Sequence, residues 1–129
     1  KMFNNYLGGS ELVACCEVMV MAKQLGMDVE NLFDIINKST GRNFASETAI
    51  PGFLKHRDFT PKFTTDLFYK DINIAMQTAD ELKLPVTIGP ATLQAFGATR
   101  AMGCGQEHSI AVVKYYEALA GIKVNEEDQ

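Results

Sequence analysis

Residues 12–22 read LVACCEVMVMA, an apolar run interrupted only by Glu17. A membrane span needs about 20 apolar residues, so the run is too short to be one. Glu11 rather than a basic region precedes it, which argues against a signal peptide. Its apolar side chains surround a helix on nearly all sides, and such a helix is normally central and buried. The pattern predicts a first helix over about Met2 to Leu25, stopped by Gly26. Gly8 and Gly9 lie inside it and mark either a kink or the close approach of another helix or a ligand.

Outward from this helix the signals stay helical. Asp28 is a good N-cap for a helix over about Val29 to Lys38, with Leu32, Phe33, Ile35 and Ile36 on its apolar face. A short helix is expected from Asn43 to Ile50, ended by Pro51-Gly52, with Phe53 to Lys62 irregular. Thr64 or Thr65 caps a long helix to about Leu82, on which Leu67, Phe68, Ile72, Ala75, Met76 and Ala79 recur at helical spacing. A fifth helix, about Val86 to Met102, tolerates Pro90 only near its first turn. Gly103-Cys104-Gly105 breaks it, and a last helix runs from about Glu107 to Ala120, with Gly121 as its cap. Alternating β-branched runs closed by turn pairs are absent. The expected fold is all-α, a single domain over residues 1–129, bundled around a long central N-terminal helix.

Composition narrows the function. The chain has 129 residues, 47% hydrophobic and 22% charged, as in an ordinary globular domain. Its net charge of −4 comes with no basic stripe interleaved with aromatics, so neither nucleic acid nor a membrane is an expected partner. Cys15, Cys16 and Cys104 make an odd set with two neighbours, a poor disulfide framework. They read as buried thiols in a reducing, cytoplasmic compartment, or in the mitochondrial matrix of a eukaryote. Cys104 and His108 lack a second ligand pair, so no metal is expected. The first residue is a lysine with no methionine before it, which fits a piece of a longer polypeptide.

Three groups can carry chemistry. Lys1, Asn4 and Asn5 stand at i, i+3 and i+4, on one face of the first helix. That is either a polar first turn or a site where an ammonium and two amides hold a substrate oxygen. Lys70 either pairs with Asp66 four residues before it or snorkels along the wall marked by Phe68 and Ile72 into a cleft. His108, after Glu107, is expected to be a solvated imidazole at a helix start, with Glu107 as a capping group.

Five segments in order then resemble the C-terminal domain of the β-hydroxyacid dehydrogenases, the 3-hydroxyisobutyrate dehydrogenase and tartronate semialdehyde reductase group. They are KMFNN, ACCEVMVMAKQLGMD, RDFTPKFTTDLFYKDINIAMQTADEL, LPVTIGPATLQAF and GCGQEHSIAVVKYYE. The similarity covers essentially the whole chain. Glu107 stands where the family usually has Asp, a change of side-chain length at a helix start.

The resemblance implies a helical half of an NAD(P)-dependent oxidoreductase, the C-terminal domain of a 6-phosphogluconate dehydrogenase-like enzyme. The compact length disfavours 6-phosphogluconate dehydrogenase itself, whose helical domain is longer. Lys1 matches the catalytic lysine, an acid in reduction and a base in oxidation; base work asks for a lysine that burial can depress. Asn5 and Asn4 match substrate-orienting amides. Lys70 matches a lysine that reaches the nicotinamide end of NAD or NADP, and Phe63 an apolar residue against the cofactor. The implied substrate is a small 3-hydroxy acid or its semialdehyde. The implied partners are the protein's own N-terminal Rossmann domain, absent from this chain, and further copies in a homodimer or homotetramer. The implied activity of this piece alone is none, because it lacks a dinucleotide-binding turn. The residues by themselves also admit a stand-alone helical module for dimerisation or small-anion binding, without redox activity.

Overall fold

The computed structural model describes residues 1–126. Seven helices follow in order: α1 (Met2–Gln24), α2 (Val29–Ile36), α3 (Phe44–Glu47), α4 (Ala49–His56), α5 (Thr65–Glu81), α6 (Ile88–Ala101) and α7 (Val112–Ala120). A 3-10 turn, Ser109–Ala111, leads into α7. No strand occurs among the described residues; the sole bridge pairs Thr64 with His108. The helices pack around α1, which touches α3, α5, α6 and α7, so the expected all-α bundle about a long first helix is what forms.

The caps follow from local chemistry. Asp28 accepts the Asn31 N–H at 3.0 Å, and Thr64 rather than Thr65 caps α5 through the Leu67 N–H at 3.3 Å. Gly26, at φ +74°, ends α1 with its own N–H on the Lys23 carbonyl and the Met27 N–H on that of Ala22, a Schellman motif.

Several expectations fail. Pro51-Gly52 does not end a helix: α4 begins at Ala49, after a break at Thr48, and runs on to His56, so Phe53 to His56 is helical rather than irregular. Pro51 is the third residue of α4, where a missing N–H costs nothing because first-turn donors have no helical partner. Pro90 lies in the first turn of α6, which starts at Ile88 rather than Val86. Glu107 and His108 lie outside the last helix. The apolar run of α1 does enter the core at Leu12, Val13, Cys15, Cys16, Met19, Val20 and Ala22, although Met21 within it and Phe3 and Leu7 before it are exposed.

Gly9 has a packing reason. A Cβ there would stand 2.7 Å from Ile72 Cδ1 and 3.3 Å from the Phe96 ring, so its absence lets α1 sit tightly on α5 and α6. Gly8 has open space where its Cβ would be, and nothing in the structure explains it. All three cysteines are free and buried, and burial pushes their thiols up, as expected of small hydrophobes.

Candidate functional site

The beginnings of α1 and α5 meet at one face. The Lys1 carbonyl accepts the Asn5 N–H at 2.9 Å, closing the first turn of α1. The Lys1 ammonium lies 5.9 Å from the centre of the Phe63 ring, the outer limit of a cation–π contact. Lys1 is exposed, so this chain does not supply the burial that base chemistry asks of it. Among the described residues no carboxylate pairs with it.

Phe63 is braced from two sides. Its ring meets Phe68 edge-on at 4.7 Å, and Phe68 stacks on the fully buried Phe96 at 5.3 Å. Its carbonyl accepts the Ser109 N–H at 3.0 Å, and the Thr65 and Asp66 N–H groups donate to the carbonyls of Glu107 and Gly105. The segment between α6 and α7 therefore fixes the entry to α5.

Asn5 is half-buried and donates Nδ2–H to Asp71 Oδ2 at 2.6 Å. Asp71 is 6% exposed. Asn4 is exposed, and its side chain makes no hydrogen bond among the described residues. Lys70 is exposed beside Asp71 and has no ion pair among those residues. The structure thus brings Lys1 to Phe63 and Asn5 to the neighbour of Lys70, but no contact joins Lys70 or Asn4 to the rest.

The Asp66–Lys70 pair does not form. Asp66 instead binds Arg100 Nε at 2.7 Å and Gln106 Nε2 at 2.6 Å. Arg100 also lies 4.1 Å from the centre of the Tyr69 ring, and a planar guanidinium can stack and bond at once. His108 is likewise not a solvated imidazole. It is half-buried, and Nδ1 accepts the Ile110 N–H at 3.1 Å. Burial pushes its pKa down, Lys62 adds to this, and Asp58 opposes it. Glu107 caps nothing; it binds Lys114 at 2.6 Å.

The cavities lie elsewhere. One of about 1270 Å³ is lined by Lys23, Arg57, Lys114, Glu117 and Lys123, at the opposite end of α1 from Lys1. Its size is not a claim to chemistry, because Arg57, Lys114 and Lys123 are each already neutralised by a glutamate. Another, of about 300 Å³, lies between α2 and α4. On the Lys1 face, Lys1, Asn4 and Lys70 are exposed.

For a nicotinamide cofactor the residues fit one end only. Phe63 and two exposed lysines suit a flat ring and its polar substituent. Gly103-Cys104-Gly105 does not suit phosphates: a Cβ at Gly105 would stand 2.5 Å from Asp66 Oδ1, so a carboxylate already covers that loop. Among the described residues no group of three His, Cys, Asp or Glu can hold a metal.

Asp71, which holds Asn5 beneath the candidate face, was not singled out from the sequence. Its signal was present: 71, 75 and 79 are buried at i, i+4 and i+8, so an aspartate sits in an otherwise apolar row.

Comparison with known proteins bears on the family and the fold. The chain is 34% identical over 125 residues to 2-(hydroxymethyl)glutarate dehydrogenase of Eubacterium barkeri, covering 97% of this chain and 42% of that protein. It is 32% identical over 119 residues to L-threonate dehydrogenase of Cupriavidus necator, covering 92% and 40%. The fold matches a crystal structure of 3-hydroxyisobutyrate dehydrogenase from Salmonella typhimurium with a TM-score of 0.84 at 26% identity, over 89% of this chain and 40% of that one. The chain therefore spans about two-fifths of the length of these relatives. A family model described as "NAD-binding of NADP-dependent 3-hydroxyisobutyrate dehydrogenase" matches residues 1–116, and the chain belongs to that β-hydroxyacid dehydrogenase family.

Proposed function

We propose that this chain is the helical C-terminal half of an NAD(P)-dependent dehydrogenase. The whole enzyme would interconvert a small 3-hydroxy acid and its semialdehyde. The observation that carries the reading is the Lys1 ammonium, unpaired among the described residues, over Phe63 and one turn from an amide held by Asp71. A face bearing these groups supports a cleft with one wall here and the other on an upstream Rossmann domain. That domain would carry most of the cofactor and, with the substrate, would desolvate Lys1.

The cofactor, when bound, supplies the acceptor or donor of hydride. Neutral Lys1 Nζ takes the hydroxyl proton as the substrate is oxidised, and the ammonium returns a proton to the carbonyl oxygen in reduction. The second Nδ2 hydrogen of Asn5 and the free amide of Asn4 orient the substrate. Phe63 offers an apolar wall to the nicotinamide end, and Lys70 reaches the same end. The exposed Phe3, Leu7, Met21 and Leu25 support an assembly that covers α1, a homodimer or homotetramer in the cytoplasm.

The test uses the full-length protein. Lys1→Met should lower kcat by about 10²–10⁴-fold, the usual contribution of acid–base catalysis, with an unchanged circular-dichroism spectrum. Residues 1–129 alone should show no NAD(P)-dependent turnover. Undiminished catalysis by Lys1→Met refutes the reading.

A further inference from the structure

Asp71 is nine-tenths buried, yet among the described residues it has no cationic partner. Its side chain receives one hydrogen bond, the 2.6 Å contact from Asn5 Nδ2. A carboxylate is a costly choice for a place that needs only filling, because burial strips its water and one neutral donor restores little of it. The location calls for another explanation, because Asp71 underlies the face that carries Lys1 and Asn5.

An amide has two unlike ends, and a carboxylate distinguishes them. An ionised carboxylate only accepts, so it takes the Nδ2 end and would repel Oδ1. Asn5 Oδ1 is thereby turned away from Asp71, and it makes no hydrogen bond among the described residues. It is not a stranded buried atom either, since Asn37 Oδ1 alone is such an atom there. An oriented acceptor therefore stands four residues, one helical turn, from an ammonium that lacks one.

We propose that Asp71 is a positioning residue for Lys1, acting through Asn5. The carboxylate fixes the amide, and the outward Oδ1 accepts one N–H of the Lys1 ammonium when the cleft closes. Another Nζ position is then aimed at the substrate oxygen, and the side chain does not have to find this geometry anew in each turnover. Without Asp71 the amide is free to flip and to offer Lys1 a donor instead of an acceptor. The inference rests on Lys1 being the proton-handling group.

The experiment compares Lys1→Met, Asp71→Asn, Asn5→Ala and the double variant Asn5→Ala/Asp71→Asn in the full-length enzyme. With Lys1→Met inactive, Asp71→Asn should lower kcat on the order of 10-fold, with KM for the cofactor and Tm near the parent values. Asn5→Ala, which also removes the hydrogen that faces the substrate, should lose at least as much, and the double variant should lose no more than Asn5→Ala alone. Should Asp71→Asn weaken the fold, Asn5→Ala by itself must still show the loss of kcat. If Lys1→Met is inactive while Asp71→Asn or Asn5→Ala turns over at the parental rate, or if the two losses multiply, the role of Asp71 is overturned and the proposed function stands. If Lys1→Met keeps its turnover, the proposed function falls and the role of Asp71 falls with it.

Discussion

His108 must be neutral to hold its place, because Nδ1 accepts the Ile110 N–H and a protonated imidazole has no acceptor. Its folded pKa is depressed, mainly by burial. The unfolded chain therefore binds this proton more readily. The stabilisation is fully present above the unfolded value of about 6.5 and is lost as pH falls through that value toward the folded one. Tm should fall between pH 7 and pH 5, and His108→Gln should flatten that dependence; an identical slope in the variant would exclude His108 as its source. The same residue shows what sequence could not reveal. Glu107-His108 reads as a helix start, but the His108 N–H bonds the Phe59 carbonyl and the Glu107 carbonyl accepts the Thr65 N–H, and these bonds pull the pair out of the helix. Asp66 offers a similar case. Lys70 is its neighbour along the chain, and Arg100 is its partner only because α6 crosses α5. Charges choose partners after the helices have packed, so their pairing was the least legible part of the site.

At the scale of the helices, two adjacent glycines should behave oppositely. Gly8→Ala meets open space and should stabilise by about 1 kcal/mol through helix propensity alone. Gly9→Ala gains the same propensity, but its methyl would press on Ile72, which is fully buried and cannot swing aside. Overpacking costs roughly 1–3 kcal/mol, so the net change should be a loss. Thermal melts of the two variants should move apart, and a raised Tm for Gly9→Ala would show that α1 and α5 have slack between them. The helices themselves were largely legible, since period, N-caps and the glycine stops at 26 and 121 are local properties. The error at Pro51-Gly52 arose because a proline ends one helix and begins another with the same residue type. The difference was the break at Thr48, a backbone conformation that no residue type there announces.

Across the whole molecule one ion pair joins distant parts. Arg57 binds both oxygens of Glu117 at 2.7 Å and the Val124 carbonyl at 2.7 Å, while Glu117 also accepts the Val124 N–H at 2.8 Å. The guanidinium lies over Phe53 and Phe59 as well. α4, α7 and the segment after α7 thus close on one another. Arg57→Ala would leave Glu117 buried without its cation, and such removals cost about 3–5 kcal/mol. Urea denaturation of the variant should show a large fall in midpoint, and a fall below about 1 kcal/mol would mean that water replaces the arginine. The lock was not visible in the sequence, where Arg57 lay in a stretch read as irregular and Glu117 on an ordinary helix. The candidate face was partly visible: Lys1 does meet Phe63, and Asn5 lies one turn from Lys1, whereas the row 71, 75 and 79 marked Asp71 as inward-facing and only the contact between α1 and α5 showed that it meets Asn5.

Phe63, Phe68 and Phe96 form a continuous ladder of rings from that face into the fully buried interior. This constrains how the protein can change over generations. A substitution at Phe63 disturbs Phe68, and through it the packing of Phe96 and Gly9, so this corner drifts only through compensated sets of changes. Exposed Asn4, bonded to nothing among the described residues, bears no such debt. Under the proposed function, change of substrate choice within this half would have an easy route through Asn4 and a hard one through Phe63.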